Sequence, residues 1–143
     1  MKSKILNEEA ERRYLLIFEE GEEFMSTLEK FAEDNKITAA YFEGIGAFKN
    51  VVVAYFDWER KEYLENPFNE QVEILSLNGD IACTGDKPKV HAHVVCGRRD
   101  GSAVGGHLFK GYIRPTLELV LSESDRVLKR VKDPKTGVYL INL

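Results

Sequence analysis

Apolar positions fall mostly in runs and alternations of strand length, with one stretch at helical spacing. Tyr14-Leu15-Leu16-Ile17-Phe18 is a continuous apolar run that reads as a strand. Gly21-Glu22-Glu23 then predicts a helix start, with two acids in a first turn where the dipole favours them. Phe24, Leu28, Phe31 and Ala32 recur at helical spacing as its apolar stripe, and Asn35 is the expected left-handed stop. Strand character resumes over residues 37–48, interrupted by Glu43-Gly44-Ile45-Gly46, where two close glycines predict a bulge or a close backbone approach. Residues 51–58 predict a further β-branched and aromatic strand, and Lys61-Glu62-Tyr63 begins an edge-like one.

The second half is strand-rich. Residues 71–77 alternate, Asn78-Gly79 is a hairpin-turn dipeptide, and residues 81–83 continue beyond that expected turn. Residues 90–97, 101–109, 117–122, 127–131 and 138–141 complete the strand set, with 133–137 as a loop. Each of Pro67, Pro88, Pro115 and Pro134 is expected at an element boundary. One helix and eight or nine successive strands predict an α+β fold with a mostly antiparallel sheet, built as a single domain over residues 1–143. Support for a second helix, in 59–70 or 123–126, is weak.

Composition adds limits. The 143 residues are 43% hydrophobic and 31% charged, a globular balance that needs no disulfides. The net charge of −4 weighs against autonomous binding to nucleic-acid phosphates. Neither a membrane-length apolar run nor a secretory h-region is present, and two cysteines make no disulfide framework, so a cytoplasmic protein is expected.

The chemistry concentrates on the histidines. All three, His91, His93 and His107, fall within 17 residues. His91 and His93 project from one strand face, while Val90, Ala92, Val94 and Cys96 on the other want a core. Arg98-Arg99-Asp100-Gly101-Ser102 reads as a hairpin whose three-residue loop puts Gly101 in the left-handed position. Paired residue numbers then sum to 200, so His93 faces His107 and His91 lies diagonally across. Gly105-Gly106 is the feature that could shift this register by a bulge. Three neutral imidazoles on one face make an open tripod for zinc, or for iron, nickel or copper, with a fourth position left for water or substrate. The alternative is three unrelated polar residues on a solvated strand.

Three acids are candidates for a base or a supporting shell: Glu43 in the bulge, Asp80 after the expected turn, and Glu118 inside an apolar strand. Glu118 either needs a partner or faces solvent by alternation. Residues 87–114 carry six basic residues and one acid, a local charge of +5, which favours a small anionic ligand nearby; Arg98 and Arg99 read as a solvated hairpin tip. The aromatics Phe42, Tyr55, Phe56, Trp58 and Tyr63 read as core or subunit-interface filling.

His91-Ala92-His93, Asp100-Gly101, Gly105-Gly106-His107-Leu108 and Glu118-Leu119-Val120-Leu121 together resemble the plants-and-prokaryotes conserved (PPC) domain. Gly21-Glu22, Gly44-Ile45-Gly46-Ala47 and Glu73-Ile74-Leu75-Ser76-Leu77-Asn78-Gly79 fit the same pattern, so that the resemblance spans about residues 12–141. The histidine triplet is typical of the stand-alone prokaryotic branch. The resemblance implies an antiparallel sheet of about seven strands with one main helix, a homotrimer, and a metal, zinc foremost, on His91, His93 and His107. It implies no settled activity. Prokaryotic members carry a DNA-binding label by analogy with plant proteins that have an AT-hook, and no Arg-Gly-Arg-Pro hook occurs here. The leading expectation is a trimeric metal-site protein that binds a small anion, with Glu43 or Glu118 as catalytic base from the same or a neighbouring subunit. The alternative is a DNA-associated regulatory or assembly module without enzymatic activity.

Overall fold

The computed structural model describes residues 2–7 and 12–142. Their order is β1 (Lys2–Asn7), β2 (Arg13–Glu19), α1 (Phe24–Asp34), β3 (Ala39–Asp57), β4 (Glu62–Phe68), β5 (Val72–Thr84), β6 (Lys87–Gly97), β7 (Ala103–Glu123), β8 (Lys129–Lys132) and β9 (Tyr139–Asn142). The nine strands form one sheet along the path β1-β2-β7-β3-β5-β8-β9, with β4 on β3 and β6 bridging β5 and β7. Every pairing is antiparallel except β5 with β8. The α+β class with a mostly antiparallel sheet and one helix is as expected. Pairings β3–β5, β5–β6, β6–β7 and β7–β3 close a circuit, so β6 has strand partners on both sides over residues 93–97.

The helix covers one sheet face with Phe24, Leu28, Phe31 and Ala32, all buried in the core cluster with Phe18, Phe42 and Leu117. Its start lies later than the sequence implies. Glu23 is the N-cap and accepts from the backbone N–H groups of Met25 (3.1 Å) and Ser26 (2.9 Å). The same carboxylate accepts from Gly111 N–H at 3.2 Å, which pins the helix to β7. The left-handed residue at the far end is Lys36 (φ 57), not Asn35 (φ −98), whose backbone and side-chain N–H groups both cap Phe31 O.

Two long strands replace shorter expected ones. β3 runs for 19 residues through both predicted segments, with the expected register shift at Gly44–Gly46. A Cβ at Gly46 would stand 2.3 Å from Thr116 O, so close approach to β7 demands glycine there. β7 runs for 21 residues through Pro115, whereas Pro67 and Pro88 stand one residue inside the ends of β4 and β6, and Pro134 sits in a loop, as expected.

The Asn78-Gly79 turn is wrong. Both residues lie inside β5, and a Cβ at Gly79 would sit 2.1 Å from His91 O and 2.6 Å from the Phe42 ring. Glycine is required there by packing. The β5–β6 turn falls instead at Gly85-Asp86, between the paired residues Thr84 and Lys87, with Gly85 at φ 61. Moving the turn puts Asp80 directly opposite His91.

Candidate metal centre

β6 buries Val90, Ala92, Val94 and Cys96 and turns His91 and His93 to the opposite face. The 98–102 turn forms as the sequence indicates. Arg98 N–H donates to Ser102 O (2.8 Å), Gly101 adopts φ 84, and Asp100 accepts from Ser102 N–H (2.9 Å). His93 pairs with His107, and the ladder from there to Gly97↔Ala103 has no shift. Gly105 and Gly106 make no bulge in it. A Cβ on either would meet backbone, Val94 O at 2.6 Å or Ala54 O at 2.7 Å, because β7 is held between β6 and β3.

The candidate ligand atoms of His91, His93 and His107 all lie within 4.8 Å of one another. Ring centroids are 5.2 Å apart for His91–His93, 5.0 Å for His91–His107 and 5.4 Å for His93–His107. Burial, then the neighbouring imidazoles, push His107 down to about 4; burial and His91 lower His93 as well. Both are neutral near pH 7 and keep a lone pair for a metal. His107 stacks on Tyr63 at 4.7 Å and meets the edge of Phe109 at 5.5 Å. Its Nδ1 is buried with no hydrogen-bond partner. A buried polar atom left unpaired is costly, and an imidazole-only donor set beside it fits a divalent transition ion.

Asp80 is the acid that reaches the cluster. Its Oδ2 lies 3.6 Å from His91 Nδ1, and its Oδ1 is paired with the Arg130 guanidinium. Burial raises the Asp80 carboxyl, but the bonds to His91 and Arg130 outweigh it and leave it below the usual carboxylate range. Arg130 is itself buried and donates to Lys89 O at 3.1 Å. Of the three candidate acids Asp80 is the one beside the histidines, no sequence pattern marks Arg130, and Tyr63, expected as core or interface filling, packs on His107.

Glu43 and Glu118 lie elsewhere on the sheet, both exposed. They line a cleft of about 440 Å³ with Leu15, Ile45, Leu75 and Val120. Glu43 shares a cross-strand row with His93 through Asn78, roughly 10 Å away at two strand spacings. Glu118 pairs with Ile17 and Ile45, farther from the histidines. The basic stretch 87–114 is less positive in space than in sequence. Lys89, Arg98 and Arg114 pair with Glu29 (2.8 Å), Glu70 (2.7 Å) and Glu20 (3.0 Å). Among the described residues no helix is long and apolar enough to cross a membrane.

Known proteins give a consistent picture. The sequence profile of the Plants and Prokaryotes Conserved (PCC) domain matches residues 6–125, which include all three histidines. A plant- and prokaryote-conserved (PPC) protein from Pyrococcus horikoshii has a TM-score of 0.86 at 32% identity, over 99% of this chain and 95% of that one. A metal-containing protein from Archaeoglobus fulgidus has a TM-score of 0.85 at 33% identity, over 99% and 97%. A protein from Bacteroides thetaiotaomicron, to which DNA binding is ascribed provisionally, reaches 0.90 at 25% identity over 98% and 96%. No curated protein matches the chain. With the profile covering most of the sequence, and two structural relatives above 30% identity over nearly their whole length, this chain belongs to the plants and prokaryotes conserved domain family.

Proposed function

We propose that this chain is a metal-binding protein that holds one divalent ion, zinc in the first instance, on His91, His93 and His107, beside a site for a small anionic ligand. The observation that carries this reading is the orphaned Nδ1 of His107, buried within a cluster whose ligand atoms lie within 4.8 Å of one another. The metal-containing relative from Archaeoglobus fulgidus supports it. A bound zinc ion would supply a Lewis acid able to polarise a ligand oxygen or lower the pKa of water. Asp80 engages Nδ1 of His91 and so leaves Nε2 for coordination, and Arg130 holds Asp80 in place.

Glu43 and Glu118 serve in this reading as bases supplied across a homotrimer contact, since within one subunit they line a separate cleft. The trimer is favoured by the sheet face turned away from α1, which exposes Tyr41 (54%), Ile45 (62%) and Leu75 (57%). The test is elemental analysis of the purified protein and of His91→Ala and His107→Ala. About one zinc per chain is expected in the parent and none in the variants. Full occupancy in both variants would overturn the assignment.

A further inference from the structure

We infer that the cavity between the histidine cluster and the β8–β9 hairpin binds a small organic carboxylate with an apolar ring or branched body. This rests on the metal reading above and adds the class of ligand. The cavity has a volume of about 590 Å³, well within the span of small-molecule sites. His91 and His107 form its floor. Phe56 and Tyr63 form an aromatic wall, with their rings 5.1 Å apart edge to face. Tyr139 and Leu140 of β9 also line it, each about half exposed.

Charge selects the ligand class. Of the cavity's cations, Arg130 is engaged by Asp80 and Lys89 by Glu29. Lys61 and Lys132 have no carboxylate partner among the described residues. Lys61 is placed by a left-handed backbone (φ 57), with its ammonium 3.3 Å from the centroid of the Trp58 ring. The lining therefore carries two lysines not spent on carboxylates, Lys61 with its ammonium over the Trp58 ring and Lys132, beside an apolar slot. A phosphate dianion calls for a free guanidinium fork, a helix N-terminus or a backbone nest in addition to lysines, and Arg130, the guanidinium in this lining, is spent on Asp80 and Lys89 O. A monoanionic carboxylate matches the two lysines, and its apolar body suits a lining that includes Phe56, Tyr63, Tyr139 and Leu140.

The hairpin that carries Tyr139 and Leu140 lies beyond the matched residues 6–125. The three histidines lie within the profile match and the hairpin outside it, although the Pyrococcus and Archaeoglobus relatives superpose on 99% of this chain. The hairpin is fastened by the Cys83↔Lys129 parallel pairing and by Arg130.

The test uses the full chain loaded with zinc, titrated with benzoate, acetate, benzyl alcohol, phenyl phosphate and inorganic phosphate. Binding is followed by calorimetry and by NMR shifts of backbone amides, with zinc content measured in parallel. Benzoate is expected to bind at least tenfold more tightly than acetate or benzyl alcohol, with shifts confined to β4, β8 and β9. In Lys61→Met/Lys132→Met benzoate should weaken by about tenfold at low salt, with zinc content unchanged. Tighter binding of either phosphate, or benzoate no better than acetate and benzyl alcohol, would overturn the carboxylate assignment. If the parent protein takes up no zinc, the metal reading falls by itself. Benzoate shifts on the metal-free chain that are lost in the double variant still support the cavity, and their absence counts against it.

Discussion

The link between the C-terminal hairpin and the histidines can be broken at one atom group. Arg130→Met keeps the aliphatic stem and removes a buried guanidinium that bonds Asp80 and, at 3.1 Å, Lys89 O. A hydrogen bond to a charged group contributes about 1.5–3 kcal/mol. Asp80 keeps 30% of its side-chain exposure, so water can replace part of what is lost and the cost sits near the lower end, about 2 kcal/mol. For a chain of this length that is roughly 8 °C in the melting temperature of the metal-free protein. The second effect is on the ion. Asp80 no longer held against His91 Nδ1 leaves the imidazole free to turn, and losing such an outer partner costs about 10–100-fold in metal affinity. Competition with a chromophoric chelator measures this term, and thermal melting with and without zinc separates it from stability. Asp80→Asn should lower zinc affinity by a similar factor. Zinc affinity within about twofold of the parent in both variants would refute the Arg130–Asp80–His91 linkage.

Gly79→Ala places a methyl group 2.1 Å from His91 O and 2.6 Å from the Phe42 ring, so it should destabilise by about 3 kcal/mol or more, read as a lower urea midpoint; an unchanged midpoint would show that the approach of β5 to β6 is not as tight as described. Sedimentation velocity at micromolar concentration should show a trimer, and a purely monomeric species would remove the cross-subunit role proposed for Glu43 and Glu118. A random DNA duplex at physiological salt should bind more weakly than micromolar, given a net charge of −4 and the pairing of Lys89, Arg98 and Arg114 with glutamates. Tighter binding that is lost in Arg98→Ala/Arg99→Ala would favour the regulatory module over the metal-site protein.

Whether a feature could be read from the sequence depended on whether its cause is local. The 98–102 turn is specified by its own residues, since Asp100 caps the turn and Gly101 takes the left-handed position. The His93↔His107 pairing then followed by counting along two strands. The helix stripe Phe24, Leu28, Phe31 and Ala32 is equally local, being a matter of spacing. Asn78-Gly79 shows where this fails. The dipeptide is identical to that of a tight hairpin, yet its glycine answers to a carbonyl on the next strand and a ring on β3. With the turn at Gly85-Asp86 instead, Asp80 and His91 are directly paired, a contact the dipeptide alone does not reveal.

The same distinction separates Glu43 and Glu118 from Asp80 and Arg130. A carboxylate inside an apolar strand is conspicuous in one dimension, whereas the Arg130–Asp80 contact joins residues 50 apart through a parallel pairing only two residue pairs long. Nothing in the local pattern of 127–131 marks Arg130 as buried, because its partner belongs to another hairpin. The sequence therefore exposes the proposed ligands, which share one hairpin, and conceals Asp80 and Arg130 beside them, which come from two further strands, β5 and β8. Variants at Asp80 and Arg130 are accordingly the stricter test of the site. The histidines would cluster on their hairpin whether or not they bind an ion, and the Arg130–Asp80 pair also fastens β8 to β5, so only a loss of zinc affinity beyond the loss of stability reports on the orientation of His91.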